Sequence, residues 1–331
     1  MSSSSSRIEH FMSNLRENLV TGNYYEGHQG LRAIAIRLVK QKKHSRAIQL
    51  LYLGALELCQ YNQWGSVADL TTFMINIYVE EKVPVCEESK ERVFDILDKL
   101  SQATEYYPRV YESAVQWTIG MGGKCGDPQM HHFVACVQRN KMRFNDAEMH
   151  YLVGTSESPA ALGNMLFDWA ERTGTQEYGL FAARGVLKYL AMGWYEAACL
   201  CWRAFIGRLA HTHEGLVHER TGSTLVSKIG SVYQVDKYEL VNFVQLLLLT
   251  VERADGEPGS DAARIFGQLR TRFEPRFGVN TDVVHSLLDA VAERYFGVVV
   301  QRQQSLFDIV NNLFAPPARA AVTDASAEDM D

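Results

Sequence analysis

Apolar side chains recur at helical spacing along almost the whole chain, and few prolines interrupt them. Among the 331 residues only 8 are prolines, and the stretches between them repeat apolar positions at i, i+3 and i+4. Such stripes are the buried faces of amphipathic helices. Helices of roughly 10 to 18 residues are marginal on their own, so we expect each to pack on its neighbours. Two examples are Ala47, Ile48, Leu51, Ala55, Leu58 and Val284, Leu287, Leu288, Val291, Tyr295.

A four-residue motif recurs along the chain: a ring, any residue, a charge and a small residue. It resembles the corner between helices in tetratricopeptide repeats, which recur about every 34 residues. Because the copies here are 20, 100 and 50 residues apart, the sequence predicts a degenerate version, an all-α, right-handed α-solenoid of helical hairpins. Chance recurrence within an irregular helical bundle is the alternative. The copies occupy residues 24–27, 44–47, 144–147 and 194–197.

Residues 224–235 depart from the helical pattern. They are rich in β-branched and aromatic side chains, with Gly230 and Ser231 between two short runs, and this predicts a β-hairpin. Two strands alone are only marginally stable. The hairpin therefore needs a surface to lie against, and a partner chain is one candidate. An irregular loop between helices is the alternative.

Composition narrows the class of protein. Basic and acidic residues number 33 and 39, a formal net charge of −6, which argues against a general nucleic-acid-binding protein. The 6 cysteines are too few for a disulfide scaffold. The serine-rich start has no apolar core of a secretory signal, and the apolar block around residues 246–249 is far shorter than a membrane helix. We therefore expect a reducing, cytosolic or nuclear address.

Both ends of the chain are expected to be disordered. Residues 1–7 are mostly serine. Residues 315–331 combine prolines and alanines with four acidic residues against one arginine, a net charge of −3. Such a segment cannot bury enough apolar surface to order itself.

No set of catalytic or metal-ligating residues is convincing. The glycine-rich stretch 120–126 is not a phosphate-binding loop, because Cys125 stands where a hydroxyl should bind magnesium and no strand precedes it. Two histidine clusters lack a further ligand at zinc spacing. The sequence therefore predicts no enzyme, no cofactor and no metal. The side chains weighed as metal ligands are His131, His132, Cys136 and His150, and then His211, His213 and His218.

Charge is segregated between neighbouring segments. From residue 7 to residue 46 there are eight basic and three acidic residues, a balance of +5. From residue 69 to residue 105 there are nine acidic and four basic residues, a balance of −5. A surface with both signs can orient one partner and reject others. Chance variation among solvated helix faces is the alternative.

Several segments, in a specific order across residues 8–314, resemble one known family. The most distinctive is GNYYEGHQGLRAIAIR at 22–37. Others are GDP at 126–128 followed by His131, NFVQLLL at 242–248 and ERYF at 293–296. On these segments the chain is similar to the Golgi to ER traffic protein 4 family, the helical scaffold of the pathway that targets tail-anchored membrane proteins.

The resemblance implies a cytosolic, non-enzymatic adaptor with two partners. The N-terminal half, residues 8–150, would dock the homodimeric targeting ATPase and favour its closed, nucleotide-bound state. The C-terminal half, residues 151–314, would hold the N-terminal segment of a ubiquitin-like protein with the hairpin at 224–235. The ATPase would thus stand next to the chaperone-bound client. Neither nucleic-acid binding nor direct membrane insertion is implied.

The same resemblance places candidate contact residues. Asp69 falls on an acidic position associated with ATPase regulation, whereas a second acidic position is Asn76 here, with Glu80 and Glu81 nearby as substitutes. The ATPase-facing set is Arg32, Arg37, Lys40, Asp69 and Asn76. The apolar set for the ubiquitin-like partner is Val226, Ile229, Val232, Tyr233, Leu240 and Phe243, and core packing is the alternative for each.

A second interpretation fits the helical pattern equally well. The chain would then be a generic helical-repeat scaffold subunit of another cytosolic complex. That interpretation predicts no dependence on the hairpin and no contact with an ATPase.

Overall fold

The computed structural model describes residues 2–175, 177–219, 227–278 and 282–298, and this part of the chain is an α-solenoid with one small sheet. The predicted all-α solenoid carrying a β-hairpin is therefore confirmed. The helices are α1 Ser2–Val20, α2 Tyr24–Lys40, α3 His44–Gln60, α4 Trp64–Glu80, α5 Glu87–Leu100, α6 Tyr107–Gly120, α7 Pro128–Asn140, α8 Phe144–Leu152, α9 Ser158–Thr173, α10 Tyr178–Ala191, α11 Tyr195–Thr212, α12 Glu239–Val251, α13 Asp261–Phe273 and α14 Asp282–Phe296. A 3₁₀ turn spans Glu274–Phe277, and the strands are β1 Val217–Glu219 and β2 Tyr233–Val235.

The first helices repeat with a period of 20 residues. α2, α3 and α4 begin at Tyr24, His44 and Trp64, each after a three-residue turn. In the turn before α3, Lys42 has φ +56°, and the N–H of Lys43 donates to the carbonyl of Leu38 at 2.9 Å. This is the Schellman helix end, in which a left-handed residue lets the next N–H close the last turn. The four-residue pattern of the sequence, the ring-first motif, thus marks helix starts. It does not mark the start of α4, because no charged residue follows the ring of Trp64 in that pattern.

Small residues let neighbouring helices approach closely. α3 packs on α4, α7 on α8, and α9 on α11. A Cβ added at Gly163 in α9 would lie 2.2 Å from the carbonyl oxygen of Cys201 in α11. Backbone contact of this kind needs glycine, because any side chain would push the helices apart. It explains why α9 and α11 form the most extensive helix contact among the described residues.

The buried apolar residues form two core clusters that meet within α7. The N-terminal cluster runs from Ile8 to Met130, and the C-terminal cluster runs from Ala135 to Phe296. The division of the chain at residues 150 and 151 stays a prediction. The change of core lies nearer to the middle of α7, before that boundary.

The hairpin exists, but its first strand lies upstream of the predicted segment. β1 pairs antiparallel with β2 in the register Val217 to Val235 and Glu219 to Tyr233. Residues 227–230 form a turn, so the expectation of a strand there was wrong, and residues 224–226 lie outside the described part. Val217 and Val235 are both buried. This shared buried side sets the register of the two strands, which the local sequence pattern alone does not determine.

The structure describes the N-terminal end of the chain from Ser2 but not the C-terminal acidic segment. α1 begins at Ser2, so the serine-rich start expected to be disordered is helical instead. Extending an existing helix costs far less than nucleating one, and the amphipathic stretch after Arg7 provides the nucleus. The acidic segment 315–331 lies outside the described residues.

Within the described residues, no helix is long and apolar enough to cross a bilayer.

Candidate functional site

Arg32 of α2 and Asp69 of α4, two of the predicted ATPase-facing residues, are in direct contact. The Nη1 of Arg32 lies 3.0 Å from both carboxylate oxygens of Asp69. The Nε2–H of His28, one turn before Arg32, also donates to Asp69 Oδ2 at 3.0 Å. Sequence reasoning missed His28, although its spacing of four residues from Arg32 places both on one helix face.

Asn76 extends the same surface as an exposed side chain, and Lys40 is exposed at the end of α2. Asn76 lies two turns beyond Asp69 on α4, and Lys40 lies about two turns beyond Arg32 on α2. Arg32 also lies over the ring of Phe73, with its guanidinium carbon 5.9 Å from the ring centre. We call the surface formed by Arg32, Asp69, Phe73 and Asn76 the α2–α4 face.

The two carboxylates suggested as substitutes for a missing acid at Asn76 differ in availability. Glu81 accepts a hydrogen bond from His44 Nδ1 at 2.8 Å, so it is engaged at the start of α3. Glu80 ends α4 as an exposed side chain. Glu80 is therefore the one of the two that can meet another chain without giving up this contact.

Arg37 lies on a different side of α2, where it lines an open groove of about 220 Å³. Apolar side chains of α1 and α2 form one part of this groove, and cationic side chains of α2 and the first turn of α3 form the other. Sequence reasoning found Arg37 but not Lys43 or Arg46, although the charge balance of residues 7–46 signalled a basic surface. The basic groove is lined by Ile8, Phe11, Ile34, Arg37, Leu38, Gln41, Lys43 and Arg46.

At the other end of the molecule, two amide side chains of α12 hold strand β2. Asn242 donates to the carbonyl of Val235 at 2.7 Å and accepts from its N–H at 2.9 Å. Gln245 makes the same pair of bonds with Tyr233, both at 2.8 Å. The two amides therefore replace a third strand on that side of β2.

This clamp leaves the outer side of β1 as the open edge of the sheet within the described residues. Because Tyr233 and Val235 direct their backbone groups to α12, only Gln234 bonds to β1, opposite His218. The backbone groups of Val217 and Glu219 point the other way. Unpaired strand edges of this kind are templates for pairing with another chain.

The predicted apolar contacts around the hairpin divide into two groups. Ile229 and Phe243 are buried, and Phe243 packs on Phe273 and Phe277 with ring centres 5.3 and 5.5 Å apart, so both belong to the core. For these two residues the structure agrees with core packing, the alternative to contact with a partner. Val232, Tyr233 and Leu240 are half-buried and reach the surface. Val226 lies outside the described residues.

The histidines weighed as metal ligands are engaged by protein groups. His131 Nε2–H donates to the carbonyl of Cys125 at 2.5 Å, and its Nδ1 accepts from His150 Nδ1–H at 2.8 Å. Burial lowers the pKa of His131, and it lowers the pKa of His150 to about 3, so both rings are neutral. His132 bonds Ser158 Oγ at 2.8 Å, and its other nitrogen faces Cys136 Sγ at 3.6 Å.

The second histidine cluster is also built from protein contacts. His213 contacts the carboxylate of Glu171 at 3.0 Å, and His218 lies 3.4 Å from Asp236 across the sheet. The hydrogen bond from His213, with a second from Tyr178, lowers the pKa of Glu171. In the part of the chain that is described, no group of three or more such side chains is placed to hold a metal ion.

Comparison with known proteins assigns the chain to a family. The sequence model of the family Golgi to ER traffic protein 4 matches residues 41–314. Golgi to ER traffic protein 4 of Aspergillus fumigatus is 27% identical over 324 residues, covering 93% of this chain and 90% of the relative. The Schizosaccharomyces pombe protein of that name is 26% identical, covering 89% and 92%.

An animal relative and a solved structure agree with these matches. The Golgi to ER traffic protein 4 homolog of Xenopus tropicalis is 26% identical, covering 90% of this chain and 84% of the relative. The crystal structure of C. therm. Get4 superposes with a TM-score of 0.79 at 25% identity, covering 98% of this chain and all of that one. The resemblance found in the sequence is thereby confirmed. The chain belongs to the Golgi to ER traffic protein 4 family.

Proposed function

We propose that this protein is a non-enzymatic adaptor in the targeting of tail-anchored membrane proteins to the ER. It joins a homodimeric targeting ATPase at its N-terminal end to a ubiquitin-like protein at its C-terminal end. The observation that carries the proposal is the presence of two candidate surfaces with different chemistry, each built on its own core cluster. Membership of a Golgi to ER traffic family supports the pathway.

The N-terminal surface is suited to an acidic partner. The basic groove carries three cations, Arg37, Lys43 and Arg46, beside an apolar lining. Lys40, exposed at the end of α2, adds a further cation to this end of the molecule. Cationic surfaces of this kind accelerate the encounter with an acidic surface and fix its orientation, and the effect weakens with salt. We assign this surface to the targeting ATPase.

The C-terminal surface is suited to an extended segment. The open edge of β1 offers backbone donors and acceptors at Val217 and Glu219, and the half-buried side chains of Val232, Tyr233 and Leu240 offer apolar contact. Strand addition draws its affinity from backbone hydrogen bonds and its specificity from neighbouring pockets. We assign this edge to the N-terminal segment of the ubiquitin-like protein. Its binding should depend little on salt.

Bridging the two partners is the way in which a non-enzymatic adaptor would promote client transfer. A chaperone carrying the client is held by the ubiquitin-like protein, and the ATPase is held by the same adaptor. Transfer between them then occurs within one complex, at an effective concentration that reaches about the millimolar range for short tethers.

The test measures each partner separately with variants that affect one surface. Reversing Arg37 and Lys40 to Glu should lower ATPase affinity at least about tenfold at low salt and leave the ubiquitin-like partner unaffected. The matched control is Lys99→Glu, which reverses a charge on exposed α5 away from both surfaces.

The second arm uses a proline on the open edge. Glu219→Pro removes an outward N–H without touching the bonds between β1 and β2, so it should weaken the ubiquitin-like partner alone. Glu219→Ala keeps that N–H and serves as its control. If either variant weakened both partners equally, or neither partner bound the unmodified chain, the two-surface adaptor would be excluded and the generic scaffold favoured.

A further inference from the structure

A band of arginines crosses α9, in a chain whose formal net charge is −6. Its four guanidiniums come from four helices, and we call them the arginine band: Arg139 of α7, Arg172 of α9, Arg184 of α10 and Arg208 of α11. We propose that the acidic segment 315–331 of the same chain docks on the arginine band. An acidic segment of another protein then reaches this surface only by displacing it.

Two members of the band share one carboxylate. Arg139 Nη2 donates to Asp168 Oδ2, and Arg208 Nη2 donates to Asp168 Oδ1, both at 2.7 Å. The two arginine side chains are 32% and 42% exposed. A guanidinium has five N–H donors. The pair therefore keeps several donors, and one positive charge in excess, for an incoming acid.

Arg184 lies on an aromatic ring beside the clamp. Its guanidinium carbon is 4.7 Å from the centre of the Trp169 ring. Its own carboxylate partner, Glu148, is buried and also contacts Lys188 Nζ at 2.8 Å. Two cations thus share one buried acid, so this part of the surface also has more positive than negative charge.

Arg172 completes the band as an exposed side chain. Its Nη1 donates to the sulfur of Met142 at 3.3 Å, and within the described residues it forms no ion pair. Met142 is itself 57% exposed, and the rings of Phe144 and Trp169 lie close by with their centres 5.3 Å apart. Arginine, methionine and aromatic side chains are the ones enriched where proteins bind each other.

The charge of segment 315–331 is complementary to this surface. The segment carries four acidic residues against one arginine, a net charge of −3. Met330, a large apolar residue of the segment, stands between Asp329 and Asp331. Carboxylates form strong, often paired hydrogen bonds with guanidiniums. The segment can therefore supply acids for the band and an apolar group for the rings beside it.

The described part of the chain ends close to the band. α14 packs on α10, and Arg294 lies against the turn after α10, since a Cβ on Gly193 would be 2.6 Å from Arg294 Nη1. Arg184 lies nine residues before Gly193, about 14 Å along the helix, and neighbouring helices are about 10 Å apart. About 26 residues separate Val298 from the first acid of the segment, and they can extend to about 85 Å. The segment is long enough to reach every arginine of the band.

Competition with a free copy of the segment tests the docking. The probe is a fluorescein-labelled peptide of residues 315–331, titrated with the unmodified chain and with a full-length variant whose segment carries amides instead of acids. The four changes are Asp324→Asn, Glu328→Gln, Asp329→Asn and Asp331→Asn. We expect the variant to bind the peptide at least about threefold more tightly at low salt, because the tethered segment competes at an effective concentration of about 1 mM. The difference should vanish at high salt.

Equal affinities at low salt, or no binding by either protein, would overturn the proposal. A molecular mass that rises with concentration in the unmodified chain but not in the variant would also overturn it, because the segment would then dock on a second copy. Light scattering measures that mass.

Charge changes in the variant locate the docking surface. Arg172→Glu with Arg208→Gln should weaken peptide binding at least about fivefold. Arg172→Glu alone leaves the contacts of Asp168 intact, and it should weaken binding about twofold. The control pair is Arg37→Glu with Lys43→Glu in the basic groove, which should leave binding unchanged. Loss of binding with the control pair but not with the band pair would overturn the proposal, because it would place the segment on the basic groove.

Discussion

The hydrogen-bonded pair of buried His131 and half-buried His150 should make the fold sensitive to mild acid. His150 Nδ1–H donates to His131 Nδ1 at 2.8 Å, and burial lowers the pKa of His150 from 6.5 to about 3. The unfolded chain keeps a histidine pKa of about 6.5. Between these two values the unfolded state binds a proton that the folded state does not. Stability is therefore fully present above pH 6.5 and is lost as the pH falls toward 3.

The size of the effect follows from the two pKa values. Each pH unit within the window costs about 1.4 kcal/mol of unfolding free energy. Lowering the pH from 7 to 5 should therefore remove about 2 kcal/mol through His150 alone. His131, whose pKa burial also lowers, acts in the same direction. His150→Gln keeps an N–H donor for His131 but cannot titrate, so the loss through His150 should disappear.

The assay is urea unfolding of the unmodified chain and the variant at pH 7 and pH 5. His211→Gln provides the control, because that histidine is exposed at the end of α11. Between pH 7 and pH 5, we expect the free energy of unfolding to fall by about 2 kcal/mol less in His150→Gln than in the other two proteins. Equal losses in all three proteins would show that the histidine pair does not set the acid sensitivity.

Three further predictions concern the C-terminal clamp, a helix crossing and a turn. Asn242→Ala removes two hydrogen bonds to the backbone of Val235. Amide hydrogen exchange of β2 should therefore become faster, corresponding to a loss of about 2 kcal/mol in the free energy of local opening. Unchanged exchange would show that the clamp is dispensable. Gly163→Ala should destabilise the folded chain by about 1–3 kcal/mol in thermal unfolding, because the added Cβ would lie 2.2 Å from the carbonyl oxygen of Cys201. An unchanged melting temperature would mean that α9 and α11 separate freely. Lys82→Gly should stabilise the folded chain by about 1 kcal/mol, because Lys82 has φ +50°, a left-handed conformation that is strained for residues with a Cβ. A lower melting temperature would contradict the strain assigned to that turn.

Local patterns were sufficient to predict most of the fold. The apolar stripes give the helices, because the 3.6-residue period is set by the helix itself and needs no knowledge of the partner. The ring-first motif marks the starts of α2, α3 and α8, where the chain turns through a Schellman end. The helix at Ser2 was missed, since the serines take their helical state from the amphipathic residues that follow.

Features that depend on two distant segments could not be predicted. The partner of β2 is Val217–Glu219 rather than its immediate neighbour, because the register is chosen by which valines face the core. The clamp by Asn242 and Gln245 left a signal, two amides three residues apart on an apolar helix, but its meaning requires the strand beside it. Asp69 and Arg32 were both found, yet their contact depends on how α2 lies against α4.

In the proposed function, one chain holds two partners at once through separate surfaces. The most direct test is to titrate the targeting ATPase into the chain with and without a saturating concentration of the N-terminal segment of the ubiquitin-like protein. We expect the same ATPase affinity in both titrations and a ternary complex whose mass is the sum of all components. Loss of ATPase binding when the ubiquitin-like segment is bound would contradict it.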